Sequence, residues 1–282
     1  MKAAPDCIPC MLRQVLNTAR KVNDDPWLHR KVLNEIMTHL AKADFDRSPA
    51  ELVSEVERLA QRPLGTTRPF ADDKKSHTAS ARALEARLRE AIAKAPDPLH
   101  AALKVSGGAN VLDASIFGPV DLQAGIERVL KGGFAIDDYL DFQEDLAKAK
   151  SVLFLCDSAG ETVADKLLIE RLTAAGKTTT YVVRRSAILN DATREDAEAA
   201  GIADVAPIAD TGSEAMGASL SLASQEFRTR FEEADLVLAK GAANFETLDG
   251  EPKTKYFLVS VKCSVVARHF GVSVGDAVFI KD

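Results

Sequence analysis

Acidic and basic side chains follow several apolar runs that are typical of buried strands. Residues 152–156 form one such run, and Asp157 follows it directly, before a Ser-Ala-Gly turn and a helix-like segment. A carboxylate at the end of an apolar strand is costly to bury unless something pairs with it, and a metal ion is a common partner. In the simpler alternative, Asp157 only caps the helix that follows.

Further polar residues take the same kind of position after later predicted strands. They are Asp191, Lys240, Asn244 and Lys262. Because ligands bind outside the carboxyl ends of the strands in open α/β sheets, we expect these side chains to meet at one edge. Carboxylates hold hard divalent cations and lysines hold phosphate oxygens, so the combination indicates metal-assisted phosphoryl chemistry.

Two common nucleotide-binding signatures are absent from the sequence. No Gly-x-x-x-x-Gly-Lys-Ser/Thr loop occurs, and no Gly-x-Gly-x-x-Gly follows a predicted strand. The second absence disfavours dinucleotide binding, and the first disfavours a P-loop as the source of the phosphoryl chemistry.

The second half of the chain alternates predicted strands with predicted helices. Strands are expected at residues 152–156, 178–183, 203–208, 235–239, 256–262 and 277–280. Helices are expected at residues 161–174, 193–200, 217–233 and 264–270. Alternation at this spacing predicts a parallel sheet covered by helices on both faces.

The first half of the chain is rich in helical patterns. Apolar residues at helical spacing over 27–41, a capped helix start at Ser48, and residues 72–94 predict three helices. Asn110 and Asp113 then follow two glycines, and their spacing would place both on one face of a helix. The alternative is a turn that Asn110 caps.

Cys7 and Cys10 form a Cys-x-x-Cys pair at the start of a helical pattern. Such a pair can pack, respond to oxidation, bind metal or act through a catalytic thiol. A structural zinc site needs four ligands, so Cys156 or Cys263 could complete one only if the fold brings them near.

Charge and hydropathy exclude several kinds of partner. The 282-residue chain carries a net charge of −6, which argues against general nucleic-acid or anionic-membrane binding. No apolar run approaches the roughly 18 residues of a membrane span, and the N-terminus lacks the apolar core of a signal peptide. We therefore expect a cytoplasmic protein with no nucleic-acid or membrane partner.

Several stretches, taken in order, resemble the motifs of the damage-control phosphatase family. This family was long a domain of unknown function, and it is also labelled acidic-residue-methyltransferase-like. The stretches are residues 108–113, 157–161, 190–193, 240–246 and 262–263, and Cys7 with Cys10 resembles the subgroup that has an N-terminal Cys-x-x-Cys. The resemblance covers nearly the whole chain. It implies a helical N-terminal domain, residues 1–148, packed on a Rossmann-like three-layer α/β/α domain with a mostly parallel sheet, residues 149–282.

The resemblance also implies an activity and a set of site residues. It implies a phosphatase that acts on small phosphometabolites, such as sugar phosphates or damaged cofactor phosphates, with manganese, cobalt, nickel or magnesium. Carried over motif by motif, the metal ligands are Asp157, Ser158 and Asp191, and the catalytic residues are Asp157, Asp191 and Lys262. The residues on the substrate side are Asn110, Asp113, Glu161, Lys240 and Asn244. Direct attack by water and a covalent phospho-aspartate on Asp157 both remain open.

The chain departs from the family pattern at two positions. The family has asparagine where this chain has Ser158, and often glycine where this chain has Ala243. A serine hydroxyl can ligate a hard cation, but its reach is shorter than that of an asparagine side chain. The departure at Ser158 therefore bears on metal affinity and metal preference.

Two other functions compete with the phosphatase. The first is a non-catalytic sensor of a phosphometabolite or metal, with Cys7 and Cys10 as a redox-sensitive pair. The second is a carboxyl methyltransferase, which the family's other label suggests. The sequence disfavours the methyltransferase because no glycine-rich adenosylmethionine loop follows a strand.

Overall fold

The N-terminal half is helical, as its apolar spacing predicts. A computed structural model describes residues 1–110 and 122–282, so the predicted site residue Asp113 lies outside the described residues. The helices of this half are α1 (Cys7–Val22), α2 (Pro26–Leu40), α3 (Pro49–Leu64), α4 (Ala71–Lys94), α5 (Pro98–Ala109), α6 (Leu122–Gly132) and α7 (Tyr139–Lys148). Three of them begin alike. Asp25, Ser48 and Asp97 each precede a proline at the first helical position and accept a hydrogen bond from a backbone N–H of the first turn.

A seven-stranded sheet forms the centre of the second half. Its strands are β1 (Ile136–Asp137), β2 (Ser151–Leu155), β3 (Thr178–Val183), β4 (Ile208–Asp210), β5 (Leu236–Lys240), β6 (Lys255–Ser260) and β7 (Ala277–Lys281). The strand order is β1-β7-β6-β5-β2-β3-β4. β6 and β7 pair antiparallel, and all the other neighbours pair parallel. The predicted mostly parallel α/β/α fold is therefore confirmed.

Helices connect the strands much as the alternation predicts. They are α8 (Thr162–Ala174), α9 (Arg194–Ala200), α10 (Gln225–Glu233), α11 (Ala242–Leu248) and α12 (Ser264–Phe270). Two predicted bounds were wrong. The helix expected from residue 217 begins only at Gln225, because Ser224 caps it. The strand expected at 203–208 begins at Ile208, and Ile202–Asp204 is a 3₁₀ turn.

Both faces of the sheet are covered, as the side chains of β2 illustrate. Val152 and Phe154 point into a core that includes residues of α4, α5, α7 and α8. Leu153 and Leu155 point into the opposite core, with residues of α10, α11 and α12. A third cluster joins α1, α2 and α3. The division into domains at residue 148 stays a prediction.

The strand order creates a crevice beside β2. Leu155, the last residue of β2, lies opposite Val182 of β3 on one side and Ala239 of β5 on the other. The chain leaves β2 toward β3 and later returns to β5 on the far side. Ligands of open α/β sheets bind at such a switch point, outside the carboxyl ends of the strands. Asp157 lies two residues beyond β2, so the fold places it there.

No helix in residues 1–110 or 122–282 combines the length and the apolar character that crossing a membrane requires.

A buried carboxyl group in the N-terminal helices makes stability depend on pH. Burial raises the pKa of Glu57 to about 7, although Thr18 Oγ1 donates a hydrogen bond to it. The unfolded chain loses this proton near its ordinary pKa of 4.5, so unfolding becomes easier as pH rises from about 4.5 to 7. We expect a loss of about 2–3 kcal/mol across this range.

Glu57→Gln should remove this contribution and reduce the dependence of unfolding free energy on pH, as measured by urea denaturation. A second contribution stays in the variant, because burial also raises the pKa of Glu246 to about 7. Glu35→Gln, at an exposed position of α2, is the matched control and should keep the slope. An unchanged slope in Glu57→Gln would show that another group causes it.

Candidate active site

A side-chain amide from the helical half holds Asp157. Asn110 follows the last residue of α5, and its Nδ2 donates to Asp157 Oδ2 and to Glu161 Oε1, each at 2.8 Å. The backbone N–H of Ser260 donates to Asn110 Oδ1 at 3.1 Å, which fixes the orientation of the amide. Asn110 is fully buried. The end of β6, the end of α5 and the turn after β2 are thus tied together at one point.

Asp191 is paired with a buried arginine. Arg184 directly follows β3, and its Nε donates to Asp191 Oδ2 at 2.7 Å; the two side chains are 0% and 2% exposed. Burial alone would lower the pKa of Arg184, but the neighbouring acidic groups, Asp191 foremost, together outweigh burial and the pKa is raised. The same guanidinium donates through Nη2 to Cys156 O and to Asn244 Oδ1, each at 3.2 Å. A charged guanidinium therefore holds one oxygen of Asp191 in place.

The two acid-bearing loops run side by side. Ser158 and Asp191 form an isolated antiparallel bridge. Ala192 N donates to Asp157 O at 2.8 Å, and Ala159 N donates to Asn190 O at 2.9 Å. These backbone bonds bring the three predicted metal ligands, Asp157, Ser158 and Asp191, next to one another.

A cavity of about 160 Å³ opens onto these residues. Its lining includes Asp157, Ser158, Asp191 and Lys262, so four predicted site residues share one cavity. The cavity also receives side chains from α1, α3, α11 and α12, and therefore lies between the sheet edge and the N-terminal helices. The structure therefore brings Asp157, Asp191 and Lys262, which follow three different strands, to one cavity, as the sequence predicts.

Four other predicted site residues support this cavity without lining it. Among the described lining residues, none is Asn110, Glu161, Lys240 or Asn244. All four are fully buried. Their predicted contact with substrate stays a prediction, and what the structure shows is that they hold other groups in place.

Lys240 in particular belongs to a buried ionic cluster. Its Nζ lies 2.5 Å from Glu161 Oε2 and 2.6 Å from Asp165 Oδ1. Burial would lower the pKa of Lys240, but the two carboxylates outweigh it and the pKa is raised. Ser106 Oγ and Tyr181 Oη each donate to Asp165 at 2.7 Å. The cluster joins β5 to the helix that follows Asp157.

Asn244 anchors the strand ends through the backbone. Its Nδ2 donates to Cys156 O at 2.8 Å and to Lys240 O at 2.6 Å, while its Oδ1 accepts from Arg184. One amide thus fixes the ends of β2 and β5 and the arginine that holds Asp191.

Gly241 allows the close approach of Asp157 to β5. Its φ is +81°, and a Cβ built on it would lie 2.0 Å from Asp157 Oδ2. No side chain fits there. The glycine of the Lys-Gly motif is therefore required by the carboxylate itself and by the backbone conformation.

Three thiols and a glutamate complete the cavity lining: Cys7, Cys10, Cys263 and Glu246. Burial raises the pKa of Cys7, and it raises that of Cys10 to about 11. Burial also raises the pKa of Glu246 to about 7. Within the described ranges, no group of three or more His, Cys, Asp and Glu residues is arranged to hold a metal ion. Cys7 and Cys10 as a redox-sensitive pair stays a prediction.

Reasoning from the sequence missed Arg184, Asp165 and Glu246. Arg184 stands directly after a predicted strand, which was the available signal for it. Asp165 shares its helical stretch with the charged residues Lys166, Glu170 and Arg171, so nothing in the sequence marks it as the buried acid. Glu246 closes the Lys-Gly-x-x-Asn-x-Glu stretch, but neither its spacing nor its surroundings in the sequence indicate that it faces a cavity.

Comparison with known proteins decides the family. The family model described as "Damage-control phosphatase ARMT1-like domain" matches residues 3–278. The chain belongs to this family. The resemblance inferred from the sequence motifs is therefore confirmed.

Individual members of the damage-control phosphatase family match over their whole length. The chain is 34% identical to a damage-control phosphatase of Archaeoglobus fulgidus, covering 99% of this chain and 98% of that protein. It is 30% identical to damage-control phosphatase PH1575 of Pyrococcus horikoshii, covering 100% and 99%. The crystal structure of a DUF89 family protein from Pyrococcus horikoshii superposes with a TM-score of 0.90, covering 100% of this chain and 99% of that one.

Proposed function

We propose that this protein is a divalent-metal-dependent phosphatase that hydrolyses small phosphorylated metabolites, such as sugar phosphates or damaged cofactor phosphates. The observation that carries the proposal is one cavity lined by Asp157, Ser158, Asp191 and Lys262, in a chain of the damage-control phosphatase family. Two carboxylates and a hydroxyl supply oxygen ligands, and a lysine supplies a cation for phosphate oxygens.

The chemistry of these donors suits a hard cation. Mg²⁺ and Mn²⁺ prefer oxygen ligands, and Mg²⁺ keeps several waters when only one or two carboxylates bind it. Asp157, Ser158 and Asp191 would hold such an ion, with water and substrate completing its coordination. The bound cation would neutralise charge on the transferred phosphoryl group.

The chain's own residues prepare the site for this task. Arg184 and Asn110 hold one oxygen of Asp191 and one oxygen of Asp157, and so restrict both carboxylates to one orientation before substrate arrives. Lys262, which lines the same cavity, would bind a phosphate oxygen. Attack by water and attack by Asp157 itself both fit this arrangement.

The proposal is tested by phosphate release from a panel of phosphomonoesters. Protein stripped of metal with a chelator is assayed alone and after adding magnesium, manganese, cobalt or nickel separately. The proposal expects turnover of at least one small phosphate ester with at least one metal, and none without metal. Full activity in the stripped protein, or none with any metal on any ester, would contradict it.

A substitution at Ser158 tests the predicted ligand set. Ser158→Asn introduces the residue that the family has at this position, and asparagine also serves as a helix N-cap. Since the amide oxygen reaches further than a hydroxyl, we expect the variant to bind Mn²⁺ about threefold to tenfold more tightly, a gain of about 1 kcal/mol. Isothermal titration calorimetry measures this gain. Equal affinity in Ser158→Asn and the parent would remove Ser158 from the ligand set.

A further inference from the structure

A basic groove adjoins the loop that carries Asp191. The groove consists of two adjoining cavities of about 480 and 320 Å³, which share Arg68, Ala187 and Glu195. Four arginines line the larger cavity: Arg58, Arg68, Arg185 and Arg194. The smaller cavity adds three more cations: Lys74, Lys75 and Arg82.

The groove carries an excess of positive charge on an acidic protein. Its seven cations face three acids, Glu195, Asp196 and Glu214, whereas the whole chain has a net charge of −6. A concave surface with one sign of charge concentrates ligands of the other sign. The expected ligand is therefore an anion.

The acids in the groove do not use up its donors. Arg58 pairs with Glu214, and Arg68 pairs with Glu195. The buried Lys74 pairs with Asp196. Arg82 and Arg194 each donate to a backbone carbonyl through Nη2. A guanidinium has five N–H donors, so each pair leaves donors free for a ligand. Arg185 is exposed and forms no hydrogen bond or ion pair with any residue in the described part of the chain.

A strained residue forms the wall between the groove and the candidate active site. Leu189 lines both the smaller cavity of the groove and the cavity that holds Asp157. Its φ is +44°, and it is the only residue besides glycine with positive φ in the described ranges. Such a conformation costs free energy and persists only when its surroundings enforce it. The groove is thus separate from the acid-lined cavity, while one loop borders both.

We propose that the basic groove binds an oligophosphate group, such as the phosphate chain of a nucleoside di- or triphosphate. Arginine forks bind phosphate oxygens in pairs. The cations extend through two adjoining cavities, which suits a chain of phosphates better than a single one. This binding site is additional to the proposed phosphatase and does not depend on it.

Calorimetric titration with inorganic tripolyphosphate tests the site. The buffer contains a chelator and a fixed ionic strength, so the predicted metal site takes no part. We expect binding to the parent protein and equal binding to Asp157→Asn and Lys262→Ala. Arg185→Ala should weaken binding about fivefold to tenfold, because it removes one charge-assisted contact. Arg30→Ala, an exposed arginine of α2 outside the groove, is the matched control and should bind as the parent does.

Three kinds of result would overturn the proposal. The first is that the parent does not bind tripolyphosphate, or that Arg185→Ala and Arg30→Ala bind it equally well. The second is loss of binding in Lys262→Ala, which would place tripolyphosphate in the candidate active site. The third is equal affinity for orthophosphate and tripolyphosphate, which would reduce the site to a single-anion contact. Arg194→Ala replaces Arg185→Ala if the latter fails to fold.

Discussion

Asp157→Asn is expected to lower metal-dependent phosphate release by about a thousandfold or more, because it removes one of the two carboxylates that we propose hold the metal. The substitution keeps the size of the side chain, and the turn from Asp157 to Glu161 keeps its backbone hydrogen bonds. We therefore expect the thermal midpoint to stay within a few degrees of the parent. The measurement is the initial rate on p-nitrophenyl phosphate at saturating Mn²⁺, with the midpoint as the test of folding.

The control for Asp157→Asn is the same substitution at Asp24, which is exposed in the connection between α1 and α2. Asp24→Asn should leave the rate unchanged. If Asp157→Asn kept the parent rate, the role of Asp157 would be structural only, as the partner of Asn110. The helix cap that the sequence offers as the alternative is made by Ser158 and not by Asp157.

Gly241→Ala is expected to lower the unfolding free energy by about 3 kcal/mol and to impair the site at the same time. An alanine Cβ would lie 2.0 Å from Asp157 Oδ2 and 2.2 Å from Cγ, so either the carboxylate or β5 must move. The backbone at Gly241 has φ +81° and ψ 163°, a conformation that residues other than glycine rarely adopt. Strain and overpacking each contribute about 1–3 kcal/mol.

Gly250→Ala separates the two contributions. Gly250 has φ +79°, and nothing lies within 4 Å of a Cβ built there. This variant therefore reports backbone strain alone, and we expect a loss of about 1–2 kcal/mol without a change in turnover. Equal losses in both variants, measured by urea denaturation, would show that the contact with Asp157 has no cost.

The position of the site could be predicted because its signals are local. An apolar run followed by a charged residue identifies the end of β2 with Asp157, and the same kind of signal identifies Lys262 after β6. Parallel topology then requires the strand ends to share one edge of the sheet. The structure brings Asp157, Asp191 and Lys262 to one cavity for this reason.

The direction in which each side chain points could not be predicted. Lys240 ends a strand just as an anion-binding lysine would, yet its side chain pairs with Glu161 and Asp165 in the buried interior. This pairing depends on how α8 packs against the sheet. The direction of the Arg184 side chain could not be predicted either, because its pairing with Asp191 requires the loop after β3 to fold back beside β2.

The edges of the fold also depend on contacts that local patterns do not reveal. Ile136–Asp137 is a two-residue strand, too short for a periodic signal, and it forms only by pairing with β7. β7 itself runs antiparallel to β6, which the short loop after α12 allows but the apolar pattern does not specify. The alternation of helices and strands predicts the layers, whereas pairing at the sheet edge is set by the tertiary structure.

Locating the metal directly would test the central claim, which is that Asp157, Ser158 and Asp191 hold a divalent cation. Crystals grown in a chelator and then soaked in MnCl₂ would be measured for anomalous scattering at the manganese absorption edge. The account predicts one strong peak within coordination distance of the Asp157 and Asp191 carboxylates. A peak beside Cys7, Cys10 and Cys263 instead, or no peak at a Mn²⁺ concentration that supports turnover, would contradict it.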